Sequence, residues 1–375
     1  MPKSDGIRQI AWLDCPGGGQ VVVDGRFAFI GHMAAPHGTS VVDIADPRHP
    51  HIVAEIDIPA GLHSHKVRVA NEIMITNRER HGGAGVPAGD FVGLRIFDVA
   101  NPHVPREIAR WECGGMGVHR FTFDGRYAYI SPELDGYVGN VVMILDLADP
   151  AHPREIGRWW MPGQHVAGGE TPNWEGRAHR CHHPIRRGDR LYVSYWHGGA
   201  VILDIAEMTR PQLVSWFDTS PPFAWPTHSV VPIEQAIAGQ RWMLVADEHV
   251  APLSPDLSSE MPSFIWMVNI TEETRPIPVG SFQIPELVGR KNRLMTGCHQ
   301  PVETIPGTEV AAAWFASGLR IIDISNPHAL RQVACYVPDP PPGADRPSSN
   351  DLFIDQRGLI YLIDRNRGLS ILERI

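Results

Sequence analysis

Long apolar runs and an excess of basic residues are both absent from this sequence. Its 375 residues carry 33 Lys and Arg against 42 Asp and Glu, for a net charge of −9. A nucleic-acid-binding domain usually shows a basic patch or stripe, and no apolar run approaches the ~20 residues that a membrane helix needs. The sequence also begins without the apolar segment of a secretory signal. We therefore expect a cytoplasmic protein that acts on a small molecule, with neither nucleic acid nor membrane as partner, and its oligomeric state is left open.

Cysteine is scarce. The complete set is Cys15, Cys113, Cys181, Cys298 and Cys335. An odd count without a secretory signal is typical of free thiols in a reducing compartment, where cysteine behaves as a small buried hydrophobe. Gly and Pro are abundant instead, with 36 and 34 residues, which suits a fold with many turns.

One segment recurs six times along the chain. Each copy is a strand ending in Asp or Asn, a turn and a second strand, as in GLRIFDVANPHVPREIARW at 93–111 and GLRIIDISNPHALRQVACY at 318–336. The residues that end the first strand of each copy are Asp43, Asp98, Asp146, Asp204, Asn269 and Asp323, spaced 48 to 65 residues apart. Two more strands fit between successive copies, so each repeat holds four strands, near the ~40–50-residue period of propeller blades.

The two ends of the chain complement each other. Residues 351–375 hold three strands of one more blade, and IRQIAWLDC at 7–15 matches PREIARWEC at 105–113. We therefore predict an all-β, seven-bladed β-propeller that forms one domain over residues 1–375. Residues from about 7 to 14 should close the ring as the outer strand of the last blade, which removes two exposed sheet edges.

The repeat copies quoted above resemble the LVIVD-repeat family of β-propellers in their pattern of strand, Asp and Asn-Pro. The resemblance covers nearly the whole chain and implies the propeller fold. It implies little about activity, because the family is defined mainly by its repeat and a fold does not determine a function.

Histidine recurs at one register of the predicted inner strands. Counting back five residues from the turn after each inner strand gives Gly19, His65, His119, His183, His228, His299 and Asn350. Because inner strands surround the channel of a propeller, we expect these five imidazoles to face one another. A single histidine at a strand start is usually structural. Five at one register favour a metal site over a proton relay, an anion-binding cluster or a purely structural role.

The residues at and beside this register indicate which metals and which kind of metal site are suitable. Imidazole suits several transition metals, and the sequence leaves the ion open among Fe, Cu, Zn and Mn. Cys181 and Cys298 adjoin the register, but alternation along a strand points them away. Gly19 leaves a gap in the ring, which suits the open coordination position of a catalytic metal. His179 and His182 are weaker candidate ligands.

Loops on the same face supply further candidates for a small-molecule pocket. The catalytic candidates, for acid–base work, ligand orientation or a carboxylate clamp, are Glu133, Glu248 and Arg78. The substrate-binding candidates are Trp196, Phe223, Trp225, Phe315, Arg365 and Asn350. Aromatic side chains with a few polar groups are typical of such pockets, although each of these positions also fits a solvated surface side chain.

Three classes of function fit these features. The first is a metal-dependent oxidoreductase of oxygenase type that acts on a small aromatic or apolar molecule in the central funnel. The second is a metal-assisted lyase or hydrolase with a histidine base, and the third is a non-enzymatic binding propeller. Histidines converging from several blades are similar to the arrangement in carotenoid-cleaving oxygenases and selenium-binding-type thiol oxidases, although the motifs of those families are absent. We favour the first class, because an interaction propeller would carry its distinctive residues on the rim.

Overall fold

Short antiparallel strands joined by turns build the molecule. The computed structural model describes residues 3–82, 85–174, 176–220, 222–250, 263–287 and 295–375. Within them, seven antiparallel sheets of four or five strands follow one another, and this confirms the predicted all-β, seven-bladed propeller.

The strands are numbered in chain order and grouped here by blade. Two strands precede the first blade: β1 (Lys3–Asp5) and β2 (Ile7–Leu13). Blades 1 and 2 contain β3 (Gly18–Asp24), β4 (Phe27–His32), β5 (His37–Asp43) and β6 (His51–Asp57), then β7 (Leu62–His63), β8 (Val67–Ala70), β9 (Ile73–Arg80), β10 (Gly93–Asp98) and β11 (Arg106–Glu112). Blades 3 and 4 contain β12 (Val118–Phe123), β13 (Tyr127–Pro132), β14 (Val142–Asp146) and β15 (Arg154–Trp159), then β16 (Arg180–Arg187), β17 (Arg190–Trp196), β18 (Gly199–Asp204) and β19 (Gln212–Phe217).

The remaining strands complete the ring. Blades 5 and 6 contain β20 (Thr227–Pro232), β21 (Trp242–Asp247), β22 (Ile265–Asn269) and β23 (Ile277–Phe282), then β24 (Gln300–Pro301), β25 (Glu309–Ala313), β26 (Leu319–Asp323) and β27 (Arg331–Val337). Blade 7 contains β28 (Ser349–Ile354), β29 (Ile360–Asp364) and β30 (Gly368–Arg374). Short 3-10 helices lie at Val166–Gly168 and Pro285–Leu287.

The N-terminal strands close the ring. Strand β2 pairs antiparallel with β30, from Ile7 opposite Arg374 to Leu13 opposite Leu369, which is the predicted closure. Strand β1, which the sequence did not predict, extends blade 6 by pairing with β27. The start of the chain therefore ties together the last two blades.

The recurring Asp or Asn serves the backbone of its turn. Asp98 Oδ1 accepts the N–H of Ala100 at 3.0 Å, and Asp323 Oδ1 accepts the N–H of Ser325 at 2.8 Å. The same contact recurs at Asp43, Asp146, Asp204 and Asn269. A side chain that bonds the backbone two residues ahead forms an Asx turn, which explains why the repeat demands this residue type.

Apolar side chains fill the spaces between neighbouring blades. In one cluster, Tyr129 and Ile144 of blade 3 pack with Val193 and Leu203 of blade 4. All five cysteines are free thiols, four of them buried. Among the described residues, no helix has the length and apolar character needed to cross a membrane.

Candidate metal centre on the propeller axis

Imidazoles from five blades form one row at the axis. The ring centroids of His65 and His119 lie 5.1 Å apart, and those of His228 and His299 lie 4.1 Å apart. His182 joins the two pairs, since its centroid is 4.7 Å from that of His119 and 4.3 Å from that of His228. Four of the five predicted histidines are thus brought together, and the blade 4 member is His182 rather than the predicted His183.

His183 points to a different part of the channel. Its Nε2 atom lies 3.3 Å from Oε1 of Glu303, and His183 makes no ring contact with the row. His182, in contrast, stacks on Trp196 with centroids 5.5 Å apart and places Nδ1 2.7 Å from the carbonyl oxygen of His228. The sequence count was therefore wrong by one residue in blade 4.

Turn geometry explains this error. Gly188 in the turn of blade 4 has a positive φ of +57°, and Gly125 in the turn of blade 3 has a positive φ of +97°. These two glycines are therefore equivalent. The register count had instead matched Gly188 with Asp124, which precedes Gly125 by one residue. Pairing in blade 4 then shifts register between Cys181 and His183, so that His182 is the extra residue of a β-bulge. Because a bulge re-aims side chains next to the ladder, His182 is directed to the axis.

A buried carboxylate that the sequence analysis did not select lies at one end of the row. Glu79 is 4% exposed. Its Oε1 lies 2.8 Å from Nδ1 of His119, and its Oε2 lies 2.9 Å from Nε2 of His63. His63 in turn stacks on His65 with centroids 3.9 Å apart. Glu79 therefore joins imidazoles from blades 2 and 3.

The predicted Glu248 lies at the other end of the row. It is 4% exposed, and its Oε1 lies 3.3 Å from Nε2 of His299 and 3.8 Å from Nη2 of Arg365. Arg365 also contacts Asn350 through Oδ1, and its guanidinium lies 5.1 Å from the ring centroid of Phe315. The predicted residues Glu248, Arg365, Asn350 and Phe315 thus meet around His299.

Two sets of side chains have the spacing of metal ligands. One set is His63, His65 and Glu79, and the other is His182, His228 and Glu248; within each set one ligand atom per residue lies within 4.8 Å of the others. We call them the first and the second ligand set. Both consist of buried imidazole and carboxylate groups, a mixture that suits Fe, Zn or Mn.

Burial keeps the imidazoles in the form that binds metals. It places the pKa of His65, His182 and His228 well below the ordinary histidine value. It also lowers the pKa of His299 to about 4, although Glu248 acts in the opposite direction. A neutral imidazole has the free lone pair that a metal ion requires.

The carboxylates are held in their ionised form. Burial by itself raises the pKa of Glu79, but the adjacent His119 and His63 outweigh it and hold this pKa well below the ordinary range. Burial likewise raises the pKa of Glu248, and His299 with Arg365 brings it below the ordinary value. Both carboxylates are therefore ready to act as anionic ligands or as hydrogen-bond acceptors for imidazole.

Glu79 could have been found from a second register. This register lies at the end of each blade's second strand. In blade 5, Glu248 comes directly after Asp247, which pairs with Thr227. In blade 4, Trp196 comes directly after Tyr195, which pairs with Cys181. The residues at the corresponding place near the end of the second strand in blades 1 to 7 are Met33, Glu79, Glu133, Trp196, Glu248, Phe315 and Arg365. Five of them were selected from the sequence as loop residues, but in blade 2 the neighbouring Arg78 was chosen.

The other selected residues lie away from the imidazole row. Arg78 pairs with Asp90 and donates from Nε to the carbonyl oxygen of Phe91 at 3.1 Å. Glu133 turns to its own loop, where Oε2 accepts the N–H of Met116 at 2.7 Å. Both side chains have local structural partners that account for their positions.

Two predicted aromatic residues also have other neighbours. Phe223 packs edge-to-face on Phe264 and Trp266, with centroids 5.6 Å and 4.7 Å away. Trp225 is buried and packs edge-to-face on His249 at 4.1 Å. Of the predicted aromatic residues, Trp196 and Phe315 are the ones in ring contact with the imidazole row.

Comparison with known proteins agrees with the repeat and the fold. A family model described as "LVIVD repeat" matches residues 18–57, 122–160, 187–219 and 312–336. This chain contains LVIVD repeats. No curated protein sequence matches it.

Several solved propellers are similar to this LVIVD-repeat protein in structure. A periplasmic gluconolactonase of Pseudomonas aeruginosa aligns with a TM-score of 0.64 at 10% identity, covering 90% of this chain and 88% of that one. A protein from Lactobacillus plantarum aligns with a TM-score of 0.62 at 11% identity and the same coverage. A hypothetical selenium-binding protein from Sulfolobus tokodaii aligns with a TM-score of 0.58 at 15% identity, covering 96% and 82%. At these identities the likeness concerns the fold alone.

Proposed function

We propose that this propeller is a metal-dependent enzyme, of oxidoreductase type, that transforms a small aromatic or apolar molecule at the axis. The observation that carries the proposal is the pair of buried ligand sets, each with two imidazoles and one carboxylate. Burying an ionised carboxylate costs free energy of folding unless a cation or hydrogen-bond donors compensate its charge. Two histidines and one carboxylate with open positions are the ligands of non-haem Fe(II) oxygenases.

The surroundings of the ligand sets favour a flat apolar substrate. Trp196 stacks on His182, and Phe315 lies against His299 with centroids 4.4 Å apart. The side chains of His119 and Arg365 are 17% and 23% exposed, so this end of the axis is open to solvent. A substrate that enters here meets aromatic walls beside the imidazoles, with the Arg365 guanidinium available to position an anionic group.

The chain's own residues have separable tasks in this proposal. The imidazoles and carboxylates would hold the ion, which when bound supplies Lewis acidity or electron transfer. Glu79 fixes the ring orientation of His119 through Nδ1, as outer carboxylates do for ligand histidines. Trp196 and Phe315 exclude water from one side of the site.

A metal-assisted hydrolase or lyase is the second candidate. The observation that favours it is the contact between His119 Nδ1 and Glu79 at 2.8 Å, together with the partial exposure of the His119 ring. A carboxylate-oriented imidazole facing solvent is suited to act as a general base. The gluconolactonase named above is a hydrolytic propeller, and we extend that chemistry to this chain only as this alternative.

Elemental analysis of the protein as purified, followed by activity assays, separates the candidates. The redox proposal predicts bound iron or copper and O2 uptake with a panel of aromatic alcohols, phenols and thiols. Zinc or manganese with hydrolysis of lactones or esters would support the alternative. A protein that takes up none of these four metals would overturn both and favour a binding propeller. His182→Gln should abolish turnover, while Phe223→Leu, away from the row, should retain it.

A further inference from the structure

We propose that the axial site holds two metal ions, one in each ligand set. This inference deepens the proposed function, because it concerns the same site, but it rests on the separation of the two sets.

The two ligand sets have no residue in common. Ligands of a zinc-like ion lie ~2.0–2.2 Å from it, so their donor atoms must lie within about twice that distance of one another. Each set meets this condition to within a few tenths of an ångström, at 4.8 Å or less. Among the described residues, however, Glu79 and Glu248 belong to different sets. The imidazole row between them passes through His65, His119 and His182, with centroid separations of 5.1 Å and 4.7 Å.

Each set has its own additional imidazole. His119 lies 2.8 Å from Glu79 in the first set, and His299 lies 3.3 Å from Glu248 in the second. A metal site commonly adds a third or fourth protein ligand to such a core. The first set with His119 and the second with His299 would each supply three imidazoles and one carboxylate.

The two sets are neighbours. The ring of His119, beside the first set, lies 4.7 Å from the ring of His182 in the second. Both carboxylates lie near the end of the second strand of their blades, where Glu79 pairs opposite His63 and Glu248 follows the paired Asp247. Repetition of a blade therefore produces two similar half-sites side by side, which suits two ions that act on one substrate.

The charges around the two ligand sets predict different affinities for a metal ion. Arg365 places its guanidinium 3.8 Å from Glu248 and is held by Asn350. A fixed positive charge beside a ligand carboxylate opposes a cation, whereas Glu79 has only histidines as its ion-pair partners among the described residues. We therefore expect the first set to bind its ion more tightly than the second.

Metal titration tests this inference. Protein stripped with a chelator is titrated with Zn²⁺ by calorimetry, and the bound metal is counted after gel filtration. The wild type should bind two equivalents in two steps. Glu79→Gln and Glu248→Gln should each retain one equivalent, and Glu133→Gln, at the same position in blade 3, should retain two. Arg365→Gln should tighten the weaker step.

The stoichiometry of the wild type decides the matter even if a variant fails to fold. One equivalent in the wild type, or loss of all metal from both single variants with unchanged circular dichroism, would overturn the two-ion site. Mn²⁺-loaded wild type provides a second readout, because two neighbouring ions give a spin-coupled paramagnetic resonance spectrum and one ion does not. Two bound ions without any turnover would support the two-ion site and contradict the proposed enzymatic function. One bound ion with turnover would support the enzymatic function and contradict the two-ion site.

Discussion

Two consecutive residues at or just before the start of each inner strand form two layers around the axis, and the layers differ in chemistry. The histidine layer consists of Gly19, His65, His119, His182, His228, His299 and Asn350. The charged layer, one residue further along the strands, consists of Gln20, Lys66, Arg120, His183, Ser229, Gln300 and Asp351. Both layers are buried almost throughout, so burial does not distinguish them.

The charged layer forms ion pairs across the channel, both within the layer and with Glu303 beside it. Arg120 is fully buried, and its Nη2 lies 3.1 Å from Oε1 of Glu303 and 3.6 Å from Oδ2 of Asp351. Arg68 and His183 contact the same Glu303. Beyond this layer a cavity of about 350 Å³ is lined by Arg68, Glu303 and Asp351 among others. The ion pairs of Arg120 join distant blades, whereas the histidine layer presents neutral donors that a metal ion can use.

The largest effect is expected in the charged layer. Arg120→Met should lower the free energy of unfolding by about 3 kcal/mol, because it removes the ion-pair partner of the buried Asp351 and leaves Glu303 with Arg68 alone as its arginine partner. Denaturant unfolding of the metal-free protein measures this. Arg110→Met is the matched control, since Arg110 pairs with Glu107 at a half-exposed position and should cost less than about 1 kcal/mol. Equal losses in the two variants would show that the charged layer does not hold the blades.

The adjacent residues His182 and His183 provide the next test of the difference between the two layers. His182→Gln should weaken Zn²⁺ binding by at least the roughly 10- to 100-fold that loss of an outer partner costs, since His182 belongs to a ligand set. His183→Gln should leave metal affinity unchanged and reduce stability instead, because the fully buried His183 lies beside Glu303 and away from the ligand sets. Zn²⁺ titration and thermal unfolding of both variants provide the measurement. Loss of metal from His183→Gln would return the site to the register that the sequence indicated.

The repeat made most of the fold predictable. The Asx turns at residues such as Asp98 and Asp323 are local features, so a single sequence displays them, and the match between the chain ends revealed the closing strand. The site was harder to predict. The histidine of blade 4 that faces the axis depends on which turn residue is left-handed and on a bulge in strand pairing at His182. Glu79 was missed because the neighbouring Arg78 was selected in blade 2, and the contacts of Glu79 with His63 and His119 depend on how the strands pair in space.

A smaller effect concerns pH. Burial lowers the pKa of His228 well below that of the unfolded chain, so the unfolded state binds more protons below about pH 6.5. The stability from the neutral ring is complete above pH 6.5 and declines as the pH falls. In chelator, His228→Gln should lose about 1 kcal/mol less than the wild type between pH 6.5 and 5.5. The surface variant His152→Gln should follow the wild type, and identical slopes in all three proteins would contradict the buried neutral ring.

The smallest effect is expected at Glu133, which shares its strand position with Glu79 and Glu248. Its carboxylate accepts the N–H of Met116 at 2.7 Å, and a glutamine oxygen can accept the same bond. Glu133→Gln should therefore change stability by no more than about 0.5 kcal/mol and leave metal content and turnover intact. Metal counting on this variant beside Glu79→Gln compares one blade position in two neighbouring blades. If Glu133→Gln also lost metal, the site would include the carboxylate of blade 3, and the distinction between ligand carboxylates and loop carboxylates would fail.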